Sequence, residues 1–186
     1  MNRRVFLYGA AGVAAMAGGG WAAWRASSRR VPSRQAGGAG LAGLPEDVRA
    51  VYALELPDAA GRSHAVAGYR GKPLVVNFWA TWCPPCVKEM PDLDALHKRY
   101  AQVQFLGIGI DTAANIRQFS EKIPVGYPLL VAGPSGIELL RRLGNPAGGL
   151  PFTVVFDAQG QVARRILGQV QPDDLARTLD GFPPAA

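Results

Sequence analysis

Two cysteines, and no others, occur in the 186 residues, and two prolines separate them in Trp82-Cys83-Pro84-Pro85-Cys86. Thiols at that spacing can close a small disulfide and reopen it, and no third cysteine is left for a competing bridge. The pair follows the apolar run Leu74-Val75-Val76-Asn77-Phe78-Trp79-Ala80, so it falls where a buried strand hands over to a helix. Pro84 suits the first helical position, where a missing N–H loses nothing. Free N–H groups and the helix dipole at that end favour a thiolate, which makes Cys83 the expected attacking sulfur. Cys86, one turn further in and less exposed, is the expected resolving thiol. A zinc site would need two more ligands, and the only histidines, His64 and His97, lack the close spacing of a finger. A static bridge over so short a loop would stabilise little through chain entropy. The chemistry expected is therefore thiol-disulfide exchange, and both histidines are expected to be surface or packing residues.

Several elements must position that pair. A hairpin is expected from Tyr52-Ala53-Leu54-Glu55-Leu56 and Ser63-His64-Ala65-Val66 around Pro57-Asp58-Ala59-Ala60-Gly61. Strands are expected near 74–80, 103–110 and 128–131, alternating with helices near 84–100, 113–122 and 136–143. That alternation implies parallel pairing through crossovers. Phe152-Thr153-Val154-Val155-Phe156 and residues 161–167 bracket Asp157-Ala158-Gln159-Gly160, the signature of an antiparallel hairpin, and a last helix is expected near 172–181. The fold class is α/β, a mixed sheet flanked by helices.

The formal charge of +6 divides unevenly. Residues 1–34 hold six arginines and no acid, leaving 14 basic and 14 acidic residues in the remainder. A formally neutral body argues against a nucleic-acid partner, which would call for basic residues on the folded surface. Residues 5–24 carry no charge over 20 positions, about the length that crosses a bilayer core of roughly 30 Å as a helix, with Trp21 and Trp24 at one interface. Five glycines and no amphipathic pattern argue against a buried globular helix. Arg3-Arg4-Val5-Phe6-Leu7 resembles a twin-arginine export signal, although Asn2 and Tyr8 depart from the commonest flanks. Arg25, Arg29 and Arg30 oppose a simple positive-inside assignment, and no strong cleavage site follows the apolar run. The organisation expected is a signal-anchor or twin-arginine-like segment at 1–24, a flexible linker at 25–45 rich in Gly, Ala, Ser and Arg, and a folded domain at 46–186.

Gly71-Lys72-Pro73, Asn77-Phe78-Trp79-Ala80-Thr81-Trp82-Cys83-Pro84-Pro85-Cys86, Glu89, Pro91 and Gly149-Leu150-Pro151-Phe152-Thr153 together resemble the TlpA/ResA-type branch of the thioredoxin superfamily, over residues 46–182. The resemblance implies a thioredoxin-like fold with an N-terminal hairpin and a central α/β insert, here residues 113–131. It implies an exported or tethered thiol-disulfide oxidoreductase, often a reductase in cytochrome c maturation. Its partners would be a disulfide-containing protein substrate and a membrane thiol oxidoreductase that donates electrons. The location implied is the periplasmic face of a bacterial inner membrane, held there by residues 5–24. No bound cofactor or metal is needed.

In such folds a cis proline faces the cysteines, and Pro151 matches it; a cis bond there would offer Leu150 backbone groups to a substrate strand. Thioredoxin itself carries a buried aspartate where this chain has Asn77, and an amide takes up no proton. Glu89, one turn past Cys86 on the same helix face, is the nearest candidate to move one, as in ResA-like relatives. Trp82, Pro84 and Pro85, with Leu150 and Pro151, would form the surface that meets the substrate. Three alternatives stay open. A disulfide-forming oxidant on the same fold differs only in reduction potential. A copper-binding assembly factor is opposed by the cysteine spacing and by the absence of histidine after His97. A peroxidase is opposed by Ala80, which stands where peroxiredoxins have threonine.

Overall fold

The computed structural model describes residues 45–183, so the expected anchor and nearly all of the expected linker lie outside the described residues. Helix α1 (Glu46–Tyr52) leads into a two-stranded hairpin, β1 (Glu55–Pro57) and β2 (Ser63–Ala65). Then follow β3 (Leu74–Trp79), α2 (Pro84–Arg99), β4 (Gln104–Gly109), α3 (Ala113–Lys122), β5 (Leu129–Val131), α4 (Ile137–Arg142), β6 (Phe152–Phe156), β7 (Val162–Leu167) and α5 (Pro172–Leu179). The main sheet runs β5-β4-β3-β6-β7. β3, β4 and β5 are parallel, and β6 and β7 join antiparallel, so the sheet is mixed as its sequence pattern implies. Among the described residues no helix is long and apolar enough to cross a membrane.

Two elements differ from the pattern, the first at the start of the domain. Tyr52 does not open a strand: it ends α1, and β1 begins only at Glu55. The overlapping pattern explains the difference. Val48, Val51 and Tyr52 fall at helical spacing and are all buried, whereas Tyr52-Ala53-Leu54-Glu55-Leu56 taken alone alternates like a strand. The helix expected near 136–143 is shorter and is preceded by a 3-10 turn at Pro134–Gly136.

β3 is buried along its whole length because helices cover both faces of the sheet. Leu74, Val76 and Phe78 point to one side, with Leu106, Ile108, Phe152, Val154, Phe156 and residues of α1 and α4. Val75 and Trp79 point to the other, into a core built with α2, α3 and α5 that also contains both cysteines. The two-residue period of a strand thus divides one apolar segment between two cores. Phe78 and Phe152, paired across β3 and β6, stack with centroids 6.0 Å apart in the core away from the cysteines.

Replacing Phe78 by Ala should therefore lower domain stability by about 3–5 kcal/mol. A urea unfolding curve checks this as a lower midpoint at unchanged slope; a loss below about 1 kcal/mol would mean that Phe78 does not anchor this core.

Candidate active site

Cys83 is the residue that caps α2: its backbone is extended, and its carbonyl accepts the first helical bond from Val87 N–H. Pro84 and Pro85 occupy the first two helical positions, both exposed, and the helix runs on through Pro91 to Arg99. Cys83 and Cys86 are joined as a disulfide, with Cα atoms 5.3 Å apart. Both cysteines are buried, Cys83 with 5% of its surface exposed and Cys86 with none.

Glu89 lies one turn beyond Cys86 and is wholly buried. The reason is a polar row across the sheet beneath α2. Asn77 on β3 pairs with Gly107 on β4 and with Thr153 on β6, where neighbouring positions facing α2 hold Val75, Trp79 and Val155. Asn77 Nδ2 donates to Glu89 Oε1 at 2.8 Å and to Thr153 Oγ1 at 3.0 Å, and Val170 N–H, ahead of α5, donates to Glu89 Oε2 at 2.7 Å. Burial pushes the Glu89 carboxyl up from 4.5 to about 7, although the bonds from Val170 and Asn77 pull the other way. A buried carboxyl that gains and loses a proton near neutral pH is suited to general acid-base work. Gly107 leaves room beside this row: a methyl group there would meet Leu129 Cδ2 at 2.5 Å and Trp79 Nε1 at 3.1 Å, so the end of the Leu129 side chain would have to shift.

The Leu150–Pro151 bond is cis. Pro151 is buried and immediately precedes Phe152, which pairs with Phe78, so it stands at the end of the sheet where β3 leaves for the cysteine turn. Leu150 is half-buried and packs on both cores. Trp82 is 64% exposed, far more than a packing role allows.

Two further residues position the site without any mark of it in the local sequence. Asp111 follows β4 and takes Thr81 N–H at 3.1 Å and Thr81 Oγ1–H at 2.5 Å, tying the segment before Cys83 to the start of α3. Burial raises its pKa, but these bonds with those from Thr112 and Asn115 outweigh it and hold the carboxyl below the usual range. Asn145 is buried and closes the loop ahead of the cis proline: its Nδ2 donates to the Gly149 carbonyl at 2.7 Å, and its Oδ1 accepts from Gly149 N–H at 3.3 Å. Asn-Pro-Ala-Gly-Gly is rich in turn-forming residues, but nothing in it marks which backbone groups Asn145 will bond. Leu167, at the end of β7, is 66% exposed and lies beside Gly149.

The histidines are apart from this site. His64 Nε2 lies 3.2 Å from Asp58 Oδ2 in the hairpin, and the His97 ring packs edge-on against Phe105 and Tyr127. Among the described residues no cluster of three or more His, Cys, Asp or Glu is arranged to hold a metal ion.

Residues 49–171 match the family model described as AhpC/TSA family. The chain belongs to the AhpC/TSA family. Within that family it is 32% identical over 132 residues to thiol-disulfide oxidoreductase ResA of Geobacillus thermodenitrificans, covering 69% of this chain and 74% of that protein. Among solved structures it is similar to the thioredoxin-related protein of Neisseria meningitidis serogroup B, with 33% identity, a TM-score of 0.61 and 68% and 96% of the two chains covered. It is also similar to DsbF of MTB, solved in mixed oxidized and reduced forms, with 26% identity, a TM-score of 0.62 and 70% and 96% covered. The TlpA/ResA-type resemblance and the thioredoxin-like fold therefore hold for this AhpC/TSA member, which is a redox enzyme of the thiol-disulfide oxidoreductase type.

The Glu89 environment has a consequence for stability. A carboxyl whose folded pKa lies above its unfolded value contributes stability below about pH 4.5, and the contribution is lost as pH rises through about 7. The disulfide-closed protein should lose about 3 kcal/mol from this group between pH 4.5 and pH 8, a loss absent from Glu89→Gln. Urea unfolding of both proteins at the two pH values measures it. Parallel pH dependence in the two would show that Glu89 ionises normally.

Proposed function

We propose that this enzyme works as a reductase of protein disulfides on the outer side of the cytoplasmic membrane, with Cys83 as nucleophile, Cys86 as resolving thiol and Glu89 as proton carrier. The single observation that carries the reading is the buried Glu89 carboxyl on the helix turn that follows the buried cysteine pair. In the dithiol form the Cys83 thiolate attacks one sulfur of a target disulfide, and the other target sulfur leaves as a thiolate. Cys86 then passes its proton to Glu89 and attacks Cys83 Sγ, which releases the second target thiolate and closes the Cys83–Cys86 disulfide. Two electrons have moved to the target. A membrane thiol oxidoreductase restores the dithiol by the same exchange in reverse.

Trp82, Pro84 and Pro85, together with Leu150 and Pro151, form the surface that receives the target protein, and maturation of cytochrome c is the setting that the ResA likeness favours. The uncharged residues 5–24 hold the enzyme to the membrane with its body in the periplasm.

Cys86→Ser should accumulate mixed disulfides with target proteins and Cys83→Ser should not, as non-reducing gels of envelope proteins will show; trapping through Cys86 alone overturns the assignment. Glu89→Gln should slow exchange on the order of 100-fold at pH 7, and a rate within a factor of two of the parent returns Glu89 to a packing role. The reduction potential decides direction. A value near or below about −270 mV fits a reductase, whereas one near about −120 mV would make the enzyme a disulfide-forming oxidant.

Cell fractionation tests the location. Full-length protein should sediment with membranes, and residues 46–186 should be open to external protease once the outer barrier is removed. A protected body rules out export, and a soluble product beginning after residue 25 rules out the anchor.

A further inference from the structure

We propose that Asn77 is the positioning residue that lets Glu89 hold and release a proton inside the core, by turning its carboxamide half a revolution so that it offers N–H to the carboxylate and C=O to the carboxylic acid. The inference rests on the proton-carrier role given to Glu89 above.

Every partner of the Glu89 carboxyl is a donor in the arrangement described. Val170 N–H meets Oε2 at 2.7 Å, and a backbone amide can only donate, so no proton can lie on that contact. Asn77 Nδ2 meets Oε1 at 2.8 Å, also as a donor. This is the surrounding of a carboxylate. Once the carboxyl is protonated, the hydrogen belongs on Oε1 and needs an acceptor, and a buried donor left without one is strongly disfavoured. Asn77 Oδ1 is that acceptor. It is buried and makes no hydrogen bond, although the Nδ2 of the same amide makes two.

A half-turn about the Asn77 Cβ–Cγ bond exchanges two atoms of nearly equal size, and it carries the two Nδ2 hydrogens to the place where Oδ1 has no partner, so the turned state is the costlier of the two and is adopted only when the carboxyl is protonated. Oδ1 then takes the place of Nδ2 beside Glu89 Oε1 and Thr153 Oγ1. Thr153 follows either state, because a hydroxyl accepts from an N–H and donates to a C=O. Neither neighbour could be replaced by a group of one polarity. An aspartate at position 77 would oppose the carboxylate, and a leucine would satisfy neither form. The other titratable groups acting on Glu89 are Asp92 on its own helix, Tyr127 ahead of β5, and the cysteine pair on the preceding turn when it is reduced.

Nuclear magnetic resonance on the full chain in detergent micelles, with the disulfide closed, tests this. The Glu89 carboxyl carbon and the Asn77 side-chain amide are labelled and followed from pH 4 to pH 9. The Asn77 amide signal should move with the same midpoint as Glu89, and the cross-peaks from its N–H protons to Thr153 should weaken at least threefold on the acid side. Cross-peaks that stay constant through the Glu89 midpoint overturn the inference and leave the proton-carrier role standing. A Glu89 that does not titrate in this range overturns both. Asn77→Leu should raise the Glu89 midpoint by about one pH unit, a tenfold loss of acidity, because a hydrogen bond to the charged form is the stronger of the two it removes. A midpoint that stays in place or falls also overturns the inference.

Discussion

The carboxyl of Glu89 binds three parts of the domain at one point. It takes one hydrogen bond from the central strand through Asn77 and one from the backbone ahead of the last helix through Val170, while its own backbone belongs to the helix that begins at Cys83. A carboxyl can be buried so completely only where it is either neutral or well bonded, and here it is held near the boundary between the two states. The rotation of α2 about its axis is thereby fixed against β3, and with it the depth of Cys86 and the exposure of Cys83. An apolar residue at position 89 would pack the helix as firmly, but it would fix nothing about charge.

Around that point two loops are held by side chains rather than by the sheet. Asp111 fastens Thr81 from one side, and Asn145 closes the loop to the cis Leu150–Pro151 bond on the other. Both are buried polar residues that bond backbone groups of these loops, and Asp111 also holds the Thr81 hydroxyl and the Asn115 amide, which is how irregular segments can be made rigid enough to carry chemistry. The exposed apolar side chains Trp82 and Leu167 belong to the same end of the domain, where the chain turns into α2 and where β7 ends.

Glycine and asparagine acquire meaning here from register. Gly107 sits opposite Asn77 because β4 runs parallel to β3 in a fixed alignment, and Thr153 sits on its other side because β6 runs antiparallel. A slip of one residue in β6 would send Thr153 into the opposite core, and one in β4 would put Leu106 or Ile108 beside Asn77 in place of Gly107.

What the sequence determined was whatever depends on neighbours along the chain. The cysteine spacing and the apolar run before it implied an exchange-active pair at a helix start, and the alternation of strands and helices implied the mixed sheet. Helix α1 escaped notice because its last residues also alternate like a strand. Tertiary structure alone decided that Glu89 is buried rather than solvated beside Lys88, since its partners Asn77 and Val170 lie 12 and 81 positions away. It alone assigned Asp111 and Asn145 their partners, because a single polar side chain in a loop carries no sign of which distant backbone it will meet. A short spacing is a property of covalent geometry, whereas the burial of a charge depends on which strands come to lie beside one another.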